Sequence, residues 1–94
     1  MSQFYTITMP VISTGHISLE TCRKLEEHGD KNPWTVCAPY DEGFFLYAQK
    51  DKPVEGTPAD LVAVMTWARS SGYEWVRLDM RSGDVIDDLP QYDW

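Results

Sequence analysis

Ninety-four residues at 43% hydrophobic and 13% aromatic content make one domain with material for a single core, which excludes global disorder. Fifteen acids against eight bases give a formal charge of −7. That charge repels nucleic-acid backbones and anionic membranes, and suits a basic partner or a surface built to bind something anionic.

Tyr5 to Thr14, rich in Thr, Ile and Val, reads as a first strand. Pro10 has no amide donor, so this strand lies at an edge, is bulged, or starts properly after the proline. Ser18 is a good N-cap for a first helix over Leu19 to His28, with Glu20 in the first turn. Ile17 can staple onto Cys22. Leu19, Cys22 and Leu25 form its apolar stripe, and Gly29 is its natural stop. After the Asp30–Pro33 loop, Trp34 to Tyr40 reads as strand two and Phe44 to Gln49 as strand three. Asp41-Glu42-Gly43 joins them, with glycine where a hairpin needs positive φ. Following a polar loop from Lys50, Thr57 caps a second helix, Pro58 takes its first position and Asp60 its first turn. Leu61, Val64, Met65 and Ala68 are the stripe that this helix buries, and Ser70-Ser71-Gly72 ends it. Trp75 to Met80 is strand four. Its alternation sets Val76, Leu78 and Met80 against the core and Trp75, Arg77 and Asp79 on the other face. Arg81-Ser82-Gly83 turns into a short fifth strand around Val85 and Ile86.

The order β-α-β-β-α-β-β predicts an α+β fold. The expected form is a ferredoxin-like two-layer sandwich, an antiparallel sheet with both helices on one face. Other open α/β sandwiches share that element order. The chain carries no secretory signal pattern and no apolar run near the roughly 20 residues of a membrane span. It is therefore expected to be cytoplasmic, with Cys22 and Cys37 reduced.

Ser13, Thr14, Gly15 and His16 lead directly into helix one. A glycine-containing turn at a helix N-terminus can hold an anion, with Ser13 and His16 as further donors. Without a full phosphate-loop pattern, the turn also reads as polar side chains satisfying their own backbone. Cys22 and Cys37 sit at core positions and lack the basic, accessible setting of a nucleophile. Two scattered cysteines and two scattered histidines do not make a zinc site. The acid pairs Glu26-Glu27, Asp41-Glu42 and Asp87-Asp88 are sequence neighbours that point apart, as surface charge does. No metal, cofactor or catalytic residue is expected.

The aromatic residues exceed what one small core needs. Trp75, on the open side of the sheet, suits an interface or a platform for the chain end. The stretch Asp84 to Trp94 holds four acids, no base and two aromatics. Disordered tails avoid such rings, so residues 84–94 either dock on the domain or await a partner.

Two segments, Ile12-Ser13-Thr14-Gly15-His16-Ile17 and Leu89-Pro90-Gln91-Tyr92-Asp93-Trp94, resemble those of a family of small uncharacterised bacterial proteins. Members of that family are encoded on plasmids and integrative elements. The similarity runs along nearly the whole chain, with alanine more usual where Gly15 stands. It implies a mobile-element accessory role and supplies no catalytic residue.

The first expectation is a non-catalytic, acidic protein-binding module of a mobile element or phage. It would inhibit a host defence, of the anti-CRISPR or anti-restriction type, by occupying the basic surface of a nuclease or CRISPR complex. The residues expected to carry this are Asp84, Asp87, Asp88, Tyr92, Asp93 and Trp94, with Trp75 as a platform. The alternative is a small-anion or nucleotide binder, or an enzyme, working at His16. A structural homodimer with no separate ligand is a third reading. Direct binding to nucleic acid or membrane is not expected.

Overall fold

The computed structural model describes residues 4–48 and 52–94. Four strands and two helices follow in the order β1 (Val11–Ser13), α1 (Leu19–His28), β2 (Cys37–Tyr40), β3 (Gly43–Tyr47), α2 (Ala59–Ser70) and β4 (Trp75–Asp79). Gln49 and Lys50, the expected strand end and loop start, lie outside the described residues.

The fold is α+β, but the expected ferredoxin-like sheet, antiparallel throughout, gives way to a mixed one. Its order is β1-β4-β3-β2. β1 runs parallel to β4, with Val11 opposite Arg77 and Ser13 opposite Asp79. β4 and β2 both run antiparallel to β3. A parallel pair needs a long crossover. Here the whole stretch from α1 through α2 supplies it.

Period-two alternation decides which side chains face the helices. Ile12, Cys37, Phe44, Leu46, Val76 and Leu78 are buried, together with Leu61, Val64, Met65 and Ala68 of α2. The predicted α2 stripe is thus the buried one. In α1 the stripe is Thr21, Cys22 and Leu25, and Leu19 stays exposed. Thr21 turns inward because its hydroxyl finds an acceptor on Asp60, 2.8 Å away.

Several boundaries move for local reasons. β1 starts only after Pro10. Trp34 and Thr35 leave the expected strand because both amides donate to the Asn32 side-chain oxygen, at 2.8 and 3.3 Å. Pro58 itself caps α2, while the Thr57 hydroxyl donates to the Val54 carbonyl. Met80 is exposed, because β4 ends at Asp79, whose carboxylate receives the Arg81 and Ser82 amides and turns the chain.

Gly43 does not adopt a positive φ. The constraint there is space, since a Cβ would overlap the Leu78 carbonyl on β4. Gly83 is required in the same way by the Ile12 carbonyl. That close approach leaves a single parallel bridge, Ile12 to Asp84, where a fifth strand was expected. Ser13 donates to the Asp84 carbonyl at 2.9 Å and the Asp84 amide to Val11 at 3.0 Å, so the outer side of β1 is covered. The opposite edge, β2, contains Pro39.

Replacing Gly43 with alanine forces the hairpin away from β4. The expected loss is that of an overpacked core, about 1–3 kcal/mol. An unchanged urea midpoint for Gly43→Ala would contradict this placement.

Candidate functional site

The polar turn before α1 is a latch. Ser13 caps a tight 3-10 turn over Thr14–His16 by accepting the Gly15 amide at 3.0 Å. The turn drives His16 inward until it is 0% exposed. The Ile86 amide lies 2.9 Å from Nε2, and the Pro90 carbonyl lies 2.8 Å from Nδ1. An amide can only donate and a carbonyl can only accept. Nε2 is therefore the acceptor, and Nδ1 carries the proton and donates to Pro90. The imidazole is neutral, in one tautomer.

The remaining contacts extend the latch to the chain end. The Tyr92 amide donates to the Gly15 carbonyl at 2.7 Å. The Trp94 indole N–H donates to the Ile17 carbonyl at 2.9 Å. Leu89 is buried between these points. Residues 84–94 therefore lie along β1, the turn and the start of α1. Asp84, Asp87, Asp88 and Asp93 all remain exposed. Tyr92 and Trp94 keep 38% and 48% of their surface in solvent even with the Tyr92 amide and the Trp94 indole N–H engaged.

The four residues considered for anion binding are brought together, but the Gly15 amide and both ring nitrogens of His16 are already engaged within the domain. Ser13 holds Gly15, and both His16 nitrogens hold the chain end. The α1 N-terminus already has an anion, the carboxylate of Asp60 from α2. It accepts from the Ser18 amide (2.7 Å), the Thr21 hydroxyl (2.8 Å) and the Leu61 amide (3.0 Å). A carboxylate is favoured there by the helix dipole and the unpaired amides. Sequence reasoning placed Asp60 only at its own helix start. Its cross-helix role had no signal in the spacing.

Trp75 stands apart from the chain end. It lies on the open face of the sheet, its ring centroid 5.2 Å from that of Tyr47. β1 separates β4 from the bridge at Asp84. Farther along the same face, the Arg77 guanidinium lies over the rings of Tyr40 and Phe45, at 5.0 and 5.5 Å. It also donates to the Tyr40 hydroxyl at 2.7 Å and pairs with Asp79 at 3.1 Å. Asp79 is 1% exposed yet fully engaged. The Tyr40 hydroxyl, 2.6 Å away, contributes most to holding its carboxyl well below the usual range. The Ser82 and Arg81 amides and Arg77 add to this against the opposing effect of burial. The sequence places Asp79 with Trp75 and Arg77 on the sheet face away from the core, and there it is nonetheless buried. The missing signal was that its partners come from β2, β4 and the following turn.

Residues 9–94 match a family of unknown function, DUF5983, in its C-terminal domain. The chain belongs to that family. No curated protein and no solved structure matches it. The DUF5983 match starts two residues before β1 and runs to Trp94, so it takes in the latch as well as the sheet.

Both thiols of this DUF5983 domain are buried. Burial, then the Glu26 carboxylate that accepts its S–H at 3.3 Å, pushes Cys22 up to about 12. Burial, then the charge of Asp30, pushes Cys37 up to about 11. Among the described residues, no group of three or more His, Cys, Asp or Glu could hold a metal ion. No described helix is long and apolar enough to cross a membrane.

Two outcomes are expected. His16→Ala empties a fully buried position and removes the partners of the half-buried Ile86 amide and of the Pro90 carbonyl, a combined loss of about 1–3 kcal/mol. Urea unfolding will register that loss, and hydrogen exchange will show Ile86 and Tyr92 opening first. Normal protection at Ile86 in the variant would contradict the latch. The raised thiols stay protonated in the native state, so alkylation at about pH 8 is slow until the protein unfolds. Because the folded values lie above the unfolded ones, the thiols' contribution to stability is complete below about pH 8.5. It is lost as pH rises towards the folded values. Rapid native alkylation of both residues would overturn this.

Proposed function

We propose that this domain is a non-catalytic protein-binding module that presents its acidic C-terminal edge to a basic surface. The observation that carries the reading is the latch. Four exposed carboxylates and two half-exposed rings sit on a segment pinned at Ile86, Pro90, Tyr92 and Trp94. A segment ordered beforehand loses little entropy when it binds. Negative charge speeds the encounter, and Tyr92 and Trp94 supply anchoring area of the kind found in interface hot spots. Trp75 and its neighbours on the open sheet face form a separate aromatic surface and are not needed for this contact.

The proposed setting is a mobile element or phage, with the domain acting in the cytoplasm as an inhibitor of host defence, anti-CRISPR or anti-restriction in type. The resemblance of the Ser13–Ile17 and Leu89–Trp94 segments to proteins of plasmids and integrative elements supports that setting. The acidic balance of the chain supports a target with a basic nucleic-acid groove.

The test is association with purified restriction nucleases and CRISPR effector complexes by surface plasmon resonance. Raising salt from about 0.1 M to about 1 M shortens the Debye length from about 10 Å to about 3 Å. Association is expected to slow about tenfold or more over that range. Changing Asp84, Asp87, Asp88 and Asp93 to asparagine should produce the same loss at low salt. Binding indifferent to both salt and these changes would refute the electrostatic mechanism.

A further inference from the structure

A cavity of about 180 Å³ opens between α1, the β2–β3 hairpin and the end of β4. Its position follows from the chain path. Cys22 and Glu26 are one helical turn apart on α1, so both face it. The hairpin contributes Asp41 and Phe44, the turn before α1 contributes Thr14, and Met80 stands where β4 has just ended.

The chemistry of the wall is uneven. Phe44 and Cys22 are buried and apolar, and Met80 is 58% exposed. Glu26 and Asp41 bring two carboxylates, and among the described residues no lysine, arginine or histidine lines the space. Arg81, in the turn after Met80, is committed to Glu42 at 3.0 Å. One Glu26 oxygen receives the weak Cys22 S–H, which leaves the other open. Thr14 is a second and independent pointer. It is only 6% exposed, and no hydrogen bond joins its hydroxyl to any described residue. The hydroxyl is not sealed off, and Thr14 lines the cavity, so its open side is available to accept from a ligand there.

We infer that this cavity binds an organic cation, a guanidinium or primary ammonium group on a short alkyl stem. The charged head lies between the carboxylates of Glu26 and Asp41 and donates to the Thr14 hydroxyl. The stem lies against Phe44 and Met80. An anion meets uncompensated negative charge here, and a neutral ligand leaves both carboxylates unused. The space is about six times a water's share of liquid volume, roughly 30 Å³, enough for the end of an arginine side chain. The inference deepens the reading of the domain as a binder of basic surfaces. Thr14 adjoins Gly15, which holds Tyr92, so a basic partner lying on the acidic edge reaches the cavity with one side chain. A free small amine carries the same chemistry.

The experiment is a titration of the isotopically labelled full chain followed by amide NMR shifts. The probes are agmatine, n-butanol as the neutral control, and a blocked Gly-Arg-Gly tripeptide. Saturable shifts are expected at Thr14, Cys22, Asp41 to Phe44 and Met80 with agmatine and with the tripeptide, in the millimolar range. Butanol should produce none. Glu26→Gln with Asp41→Asn, both at exposed positions, should weaken the agmatine effect tenfold or more while the rest of the spectrum stays native. Tighter binding of the tripeptide assigns the cation to a protein side chain, and tighter binding of agmatine assigns it to a small molecule. Absent shifts, equal shifts with butanol, or full affinity in the double variant would overturn the inference. The two readings fail separately. Failure to bind any basic complex removes the acidic-edge function and leaves the agmatine shifts, whereas their loss leaves salt-sensitive binding intact.

Discussion

One neutral imidazole joins the two ends of this fold. His16 is fixed by a three-residue turn and fully buried, and it accepts one backbone group and donates to another in a segment some seventy residues later. Without these bonds the half-buried Ile86 amide and the Pro90 carbonyl lose the partner that holds their segment to the domain, and the buried imidazole itself would be left unpaired. With those two groups satisfied, the last residues can follow the outside of β1 and reach the start of α1. Asp84 is held by its own bridge to β1, and the placement of Asp87, Asp88 and Asp93 beyond it depends on this ring.

Asp60 closes the neighbouring region in a similar way. Its carboxylate fills the α1 N-terminus from a different helix and so locks the two helix starts together. The turn before α1 thus lies between two internal ligands, a backbone strap on one side and a carboxylate on the other. The residue types that suggest an anion pocket are present, and the protein itself occupies the positions.

Much of the fold was legible because local rules sufficed. Ser18 and Gly29 delimit α1 at the residues expected. The i, i+3, i+4 stripe of α2 is buried throughout, and the Asp41-Glu42 turn joins β2 to β3. What could not be read depends on partners distant in the chain. The parallel pairing of β1 with β4, the inward turn of Thr21 and the burial of Asp79 each need a residue far away or across a strand. Gly43 looked like a residue chosen for its torsion, and it is a residue chosen for proximity to Leu78. The acidic end and His16 were both singled out, but nothing in their spacing showed that one holds the other.

Both margins of the sheet are blunted. On one side the Asp84 bridge occupies β1, and on the other Pro39 removes an amide from β2. The sheet therefore offers no continuous ladder for another chain to anneal to. Recruitment by strand addition is closed, fibril templating is discouraged, and recognition falls to side chains on its faces and along its strap.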